Sequence, residues 1–275
     1  MKCLLLYSLS ISLLFTAVSC SKNKETDLKP ILNAANDIIL VQRPFIFAFN
    51  LLVKASLDSA LQANYHANID SSAVVLNPGK KKYTFSFTGK LCPDSVIRFG
   101  YIQAILDTNL FIPGSKVKIV FNYYSEDSHG ITADDSLLNE GPLPGGELIF
   151  KNMLSGVSIS KDITRNIKWE GSFNFHVQSD IIYHGTKKAV ITVDGSGQGT
   201  SSMGYLFYSS IASSLRDSLD CPWPKDGIIN FYMPEVEPKN GSIEFMAKKS
   251  CNNHINYNFD GVLYEGWISD KYLIK

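Results

Sequence analysis

The chain has no excess charge of either sign: 26 Lys and Arg stand against 26 Asp and Glu, and charged residues make up 19% of the 275. A polyanion such as nucleic acid is held by a basic field, and this sequence carries none. The short runs Lys80-Lys81-Lys82 and Lys248-Lys249 sit beside turn residues and read as solvated. Nucleic acid is therefore excluded as a partner. Metal signatures are missing too. The five histidines, His66, His129, His176, His184 and His254, are scattered, with no pair at helical ligand spacing and no His-Glu-x-x-His. His176 alternates with Phe173 and Phe175 on a strand pattern and reads as a surface or satisfied core histidine. No Asp-x-Asp-x-Asp-Gly calcium loop occurs, no GxxxxGK[ST] phosphate loop and no GxSxG nucleophile elbow. The sequence calls for no metal, no cofactor and no catalytic residue, and the chain is read as not an enzyme.

Cysteine is sparse and unevenly placed. Cys3 and Cys20 fall in the first twenty residues, leaving Cys92, Cys221 and Cys251. Three such widely spaced thiols make no zinc site. In an oxidising compartment the best bridge on spacing is Cys221 to Cys251, worth roughly 3–4 kcal/mol in the chain-entropy model. Three buried reduced thiols are the alternative.

What is present begins with an apolar leader. Lys2 is the only charge before Lys22, and residues 3 to 18 are nearly all apolar, small or hydroxylic. That length suits a secretory core and is short for a membrane span, which needs ~20 apolar residues. Ala17-Val18-Ser19-Cys20 puts small residues before a thiol at the first mature position. The pattern resembles a bacterial lipobox, although lipoboxes favour Leu where this chain has Ala17. It implies that Cys20 carries palmitate-type acyl chains, each anchoring by ~0.8 kcal/mol per buried methylene. Residues 1–19 then form a signal peptide, whose removal leaves 25 basic and 26 acidic residues. Ser21 after the cysteine favours the outer membrane, on its periplasmic or its exposed leaflet.

Residues 20–43 read as the lipidated N-terminus and a polar tether, and residues 44–275 as a helix followed by an antiparallel β-domain. The helix is predicted over PFIFAFNLLVKASLDSALQA, with Pro44 in its first turn and Phe45, Phe49, Leu52, Val53, Ser56 and Ala60 on one face. From residue 82 the period becomes two. KYTFSFTGK, SVIRFGYIQAILD, SKVKIVFNYYS, NIKWEGSFNFHV, KKAVITVDG, GIINFYMPE, GSIEFMAKK and HINYNFDGVLYEGWI are rich in aromatic and β-branched residues between turn signals. The fold class is all-β: large antiparallel sheet or sheets, as a sandwich or an open half-barrel, with one N-terminal helix. YTFSFTGKLCPDSVIRFGYIQAIL and SIEFMAKKSCNNHINYNFDGVLYEGWI share a strand, cysteine, turn, strand order, as duplicated hairpins would.

Three further stretches are candidates for chemistry. Glu126-Asp127 and Asp134-Asp135 lie in what reads as a polar, solvated loop from Ser125 to Asn139. A glycosidase pair would stand ~5–9 Å apart across a cleft, and adjacent residues on an extended strand point to opposite sides. DGSGQGTSSMG reads as a flexible hairpin connection. Aromatics, 12% of the chain, include Trp169, Phe173 and Phe175, the place where ring faces could stack on a ligand, unless they fill the core.

PDSVIRFGYIQAIL, PGSKVKIVFNYY, IKWEGSFNFHV, GSGQGTSSMG and DCPWPKDGIINF…KKSCNNHINYNFDG together resemble a group of uncharacterised Bacteroidetes lipoproteins over roughly residues 45–268. The resemblance implies a secreted, lipidated, all-β protein and no activity. The function expected is an outer-membrane lipoprotein with a non-catalytic binding or structural β-domain. Its partners would be the membrane, through the anchor, and an envelope protein or glycan. The alternatives are a glycan or hydrophobic-ligand binder with an aromatic groove, and an envelope hydrolase with carboxylates that converge in the fold.

The intact mass of the purified protein is expected to equal residues 20–275 plus acyl chains, with Cys20→Ser abolishing the processed, acylated species. A mass for residues 20–275 without lipid would refute the anchor.

Overall fold

The computed structural model describes residues 28–160, 165–178, 190–219, 221–246 and 253–268. It contains helix α1 (Lys29–Leu57), a short helix α2 (Ser59–Asn64) and strands β1 (His66–Ile69), β2 (Ser72–Asn77), β3 (Lys82–Leu91), β4 (Ile97–Leu106), β5 (Lys116–Glu126), β6 (His129–Pro142) and β7 (Leu148–Ser160). The second half contributes β8 (Asn166–Val177), β9 (Val190–Thr200), β10 (Leu206–Ser218), β11 (Cys221–Tyr232), β12 (Asn240–Phe245), β13 (His254–Phe259) and β14 (Val262–Trp267). All fourteen strands join one antiparallel meander in chain order, and among the described residues no ladder closes β1 onto β14. The expected all-β class holds, as one open sheet with one long helix.

The sheet wraps that helix. Phe45 meets Phe121 of β5 edge-on at 5.4 Å, and Phe49 lies between Phe150 of β7 and Phe175 of β8 at 5.3 and 4.0 Å. From the other wing Tyr257 of β13 donates to Asn36 at 2.6 Å. Asp37 accepts from both the backbone N–H and the hydroxyl of Ser202 at 2.7 Å. A helix that is apolar all round must be buried, and α1 is. Its stretch Pro30–Leu57 is long and apolar enough to cross a bilayer by length and composition, yet 83% of its most apolar window is buried inside the protein.

Two expectations about this region change. Residues 29–43, read as tether, are helical and mostly buried, so α1 starts well before Pro44, which sits inside it. Asn33, Asn36, Asp37 and Gln42 blur the apolar stripe there, because they face not water but partners on β10, on β13 and in the β9–β10 turn. Proline within a helix loses a backbone hydrogen bond and costs about 3 kcal/mol or more; packing around the whole helix circumference offsets it. At the other end α1 stops at Leu57, where Asp58 caps α2 by accepting from the Leu61 N–H at 2.8 Å.

The eight stretches read from period-two patterning all contain strand, the last of them two, β13 and β14, while the supposed loop Ser125–Asn139 is the end of β5 and most of β6. Alternation places Glu126 and Asp135 inward and buried, and their neighbours Asp127 and Asp134 outward. The solvated-loop reading fails for the two inward carboxylates. The two segments with a shared cysteine pattern do form the β3–β4 and β12–β13 hairpins.

DGSGQGT is likewise strand, the outer half of β9, not a flexible connection. Its glycines make room for rings. A Cβ on Gly197 would lie 2.3 Å from the Trp169 ring, and one on Gly199 would lie 2.9 Å from Phe207. The same device recurs on β12, where Gly241 sits in register between Phe231 and Phe259 and a Cβ would meet their rings at 2.4 and 2.8 Å. Glycine in a strand so often marks close approach of another group.

Gly241→Ala is expected to destabilise the protein by about 1–3 kcal/mol in urea unfolding, as overpacking does. Combining it with Phe231→Leu should be clearly less than additive; strict additivity would refute the ring-accommodation account.

Candidate functional site

Between α1 and the far wing of the sheet lies a cavity of about 220 Å³. The helix contributes Ile39, Gln42, Arg43, Ile46, Phe47, Asn50 and Lys54; β10 and β11 contribute Leu215, Asp217, Trp223, Pro224 and Ile229. Phe245 of β12, with Leu219 and Ile268, completes the apolar side, and Asp70, Pro93 and Asp94 come from the β1–β2 and β3–β4 turns. The β10–β11 hairpin reaches the helix because it is bulged. Its register shifts three times between Ile211 and Ser218, and Gly227 has φ +126 where a Cβ would lie 2.7 Å from Leu215 Cα. Bulges bend a strand and tighten its twist.

The cavity's polar edge is held by a buried ion network. Arg98, on β4 and fully buried, donates to both carboxylate oxygens of Asp94, and through Nε to Tyr124 Oη at 3.0 Å and Glu126 Oε1 at 2.9 Å. Tyr124 donates to Glu126 at 2.8 Å, and Arg43 of α1 donates to the other Glu126 oxygen at 2.8 Å. The Arg98 guanidinium also lies 3.7 Å over the Phe47 ring. Burial alone would raise the Glu126 pKa, but the Arg98 and Arg43 charges and the bonds from Tyr124 and Arg98 take it down to about 2. Removing one member of such a buried pair typically costs ~3–5 kcal/mol. The network thus locks α1 against β4 and β5 and fixes one wall of the cavity.

Asp94 and Glu126 are the converging buried carboxylates that the hydrolase alternative requires. Both are engaged by Arg98, and Glu126 is held ionised, which suits a clamp rather than a proton donor. Opposite the cavity's apolar side, the amide oxygens of Gln42 and Asn50 are buried without a partner, although Asn50 donates through Nδ2 to Asp217.

Trp169, Phe173 and Phe175 lie elsewhere. All three are buried, Trp169 stacks on Phe173 at 5.4 Å and Phe175 on Phe49 of α1 at 4.0 Å. Their ring faces are occupied by protein, and they build the core rather than an aromatic groove. Trp169 and Tyr208 also line an open cleft with Lys168, Glu170 and Gln198. The aromatics that line the cavity beside α1 are Phe47, Trp223 and Phe245, which sequence patterning could not bring together because 176 residues separate Phe47 from Trp223. Arg98 was legible in principle: it shares strand parity with inward Ile102, Ala104 and Leu106.

His176 faces outward between Glu147 at 3.4 Å and Asp194 at 2.8 Å, while Asn174 donates to Asp194 at 2.8 Å. Among the described residues no group of three or more His, Cys, Asp or Glu is placed to hold a metal. Cys92 is a free, buried thiol, and burial pushes its pKa up. The bridge proposed between Cys221 and Cys251, and lipidation at Cys20, fall outside the described side chains.

The buried carboxylate of Asp135 has a different environment. Asp135 of β6 accepts from Asn152 Nδ2 of β7 at 2.6 Å, and its other oxygen and the Asn152 oxygen both lack a partner. Protonation would let the acid donate to that amide oxygen and satisfy both. Burial pushes Asp135 up to about 7, with the Asn152 bond opposing it. No protein-family profile, no curated protein and no solved structure matches the chain.

These two carboxylates act in opposite directions on stability. Glu126, depressed from 4.5 to about 2, contributes stability that is present above pH 4.5 and lost as pH falls toward 2. Asp135, raised from 3.8 to about 7, favours the fold most below pH 3.8, and that contribution disappears as pH rises toward 7. Asp135→Asn is therefore expected to remove the decline in stability between pH 4 and 7, on the order of a few kcal/mol, and to leave the acid limb intact. An unchanged profile in a urea-unfolding series would refute the assignment.

Proposed function

We propose that this chain is an outer-membrane lipoprotein whose β-domain is a non-catalytic binder of a small apolar ligand. The single observation that carries the reading is the cavity between α1 and strands β10–β12, with an apolar side built by Ile39, Ile46, Leu215, Trp223, Ile229 and Phe245 and a polar edge that includes Arg43 and Asp94 of the Arg98 network. Its size, about 220 Å³, exceeds the ~150 Å³ engineered apolar cavities that take up benzene. It is smaller than the ~300–1,000 Å³ of drug-sized sites. A short aliphatic or monocyclic ligand fits that range. The hydrophobic-ligand branch is favoured over a glycan because eleven of the eighteen lining residues are apolar and the charged ones, Arg43, Lys54, Asp70, Asp94 and Asp217, already bond to protein partners. Attachment through acylated Cys20 comes from the lipobox resemblance and the likeness to Bacteroidetes lipoproteins, and it would hold the binding domain at the envelope.

Trp223 lines the cavity and gives a readout. A short brominated alkane such as 1-bromohexane is expected to quench tryptophan fluorescence saturably, and Trp223→Phe should remove that component. Leu215→Phe, which fills the space, should weaken the quenching at least tenfold without changing the far-ultraviolet circular dichroism. Linear, non-saturating quenching identical in all three proteins would overturn the reading.

A further inference from the structure

The outer surface of β2–β5 differs from the rest of the sheet. On β4 the outward row is Ile97, Phe99, Tyr101, Gln103 and Ile105, and all but Gln103 are exposed. The flanking strands answer it with lysine. Register places Ile105 directly between Lys82 of β3 and Lys118 of β5, so the two lysine stems flank the apolar row ~10 Å apart at ordinary strand spacing. Lys90 and Lys116 are exposed at the two ends. Every charged side chain that β2–β5 turn outward is a lysine, since Arg98 and Glu126 face the core. Acidic residues return only at the border, with Asp134 and Glu140 on β6, and in the turns, where Asp107 accepts from the Lys116 N–H and Asp127 from the Ile97 N–H.

β5 also carries an extra residue here. Tyr123 sits on a bulge with φ 50, a left-handed conformation that non-glycine residues rarely adopt, and its side chain is 96% exposed. Across the ladder Gly100 is required, because a Cβ there would lie 2.2 Å from the Tyr123 carbonyl oxygen. The pair holds an aromatic out into solvent that neither core packing nor strand pairing needs.

We propose that this face docks on an anionic lipid surface. The sheet curls around α1, so its outer side is convex, and a convex surface touches a plane along one strip. The residues follow that geometry: apolar and aromatic groups lie on the crest strand, and lysines, which can bury their stems and keep the ammonium at headgroup level, lie on either side. Aromatic-plus-lysine composition is that of interfacial anchors, and the lysine-only frame is complementary to acidic headgroups. The envelope location is taken from the proposed function; the ligand cavity is on the opposite face of the sheet, so either proposal can fail alone.

The test uses the mature chain with Cys20→Ser and sedimentation with vesicles of phosphatidylcholine, with or without half phosphatidylglycerol. Binding to the anionic vesicles is expected to be at least tenfold tighter and to weaken with salt. Lys82→Gln with Lys118→Gln should reduce it roughly 30-fold, at roughly fivefold for each lysine near an anionic surface. Tyr101→Ser with Tyr123→Ser should reduce binding to both vesicle types, with the melting temperature unchanged in either double variant. Equal binding to the two vesicle types, or none to the anionic ones, would overturn the proposal. So would a concentration-dependent dimer that the tyrosine substitutions abolish, which would make the face a contact between copies.

Discussion

A helix with apolar side chains on every side cannot rest on a flat sheet, and the architecture follows from that constraint. Ile31, Leu32, Leu40, Val41 and Leu51 are all buried although, at about 100° per residue, they point in different directions around α1. One face of a sheet covers one stripe of a helix, so enclosure requires the sheet to curl until strands far apart in order meet the same helix. Contacts from Phe121 on β5 to Tyr257 on β13 show that it does. The meander order makes this possible with short connections, because each strand pairs with its sequence neighbour and curvature accumulates by twist and bulge.

Enclosure leaves polar groups inside, and several on α1 are paired across the fold. Asp37 is satisfied by Ser202, Asn36 by Tyr257, and Arg43 shares Glu126 with Arg98. The bonds from Asn36, Asp37 and Arg43 join α1 to segments more than eighty residues away, so they set the rotation and height of α1 within the sheet as well as its stability. The Arg98 network carries most of that load at one end. Where the far wing closes over the same end, the bulged β10–β11 hairpin bends toward the helix without filling all the space beside it, and the space left is the cavity.

The two proposed surfaces are therefore products of one curvature. Its concave side cannot be filled completely by a single helix, which leaves room for a small apolar ligand near Trp223. Its convex side presents β4 as a crest, which collects exposed aromatics between lysines. A lipid anchor at Cys20 would place both at the envelope, the cavity accessible to small hydrophobic molecules and the crest free to lie on headgroups.

Local chemistry was legible without coordinates wherever one period dominated. Alternation named stretches that hold nine of the fourteen strands, and the antiparallel class, because a strand with one wet face must show its period. The same rule, applied one residue at a time, would have turned Asp135 and Arg98 inward; it would have turned Glu126 outward, because the bulge at Tyr123 resets the parity of β5. The start of α1, the role of the β9 glycines and the burial of Trp169, Phe173 and Phe175 were not legible. In each case the deciding neighbour belongs to a distant strand: an asparagine looks like a tether residue until Tyr257 meets it, and a glycine looks like a hinge until a ring lies across it. The cavity belongs to the same class, since its walls come from residues 39 to 268 and exist only once the sheet has closed around the helix. The sequence by itself determined the strands, their faces and the apolar helix; the tertiary structure decided which buried polar groups are paired and where packing stops short.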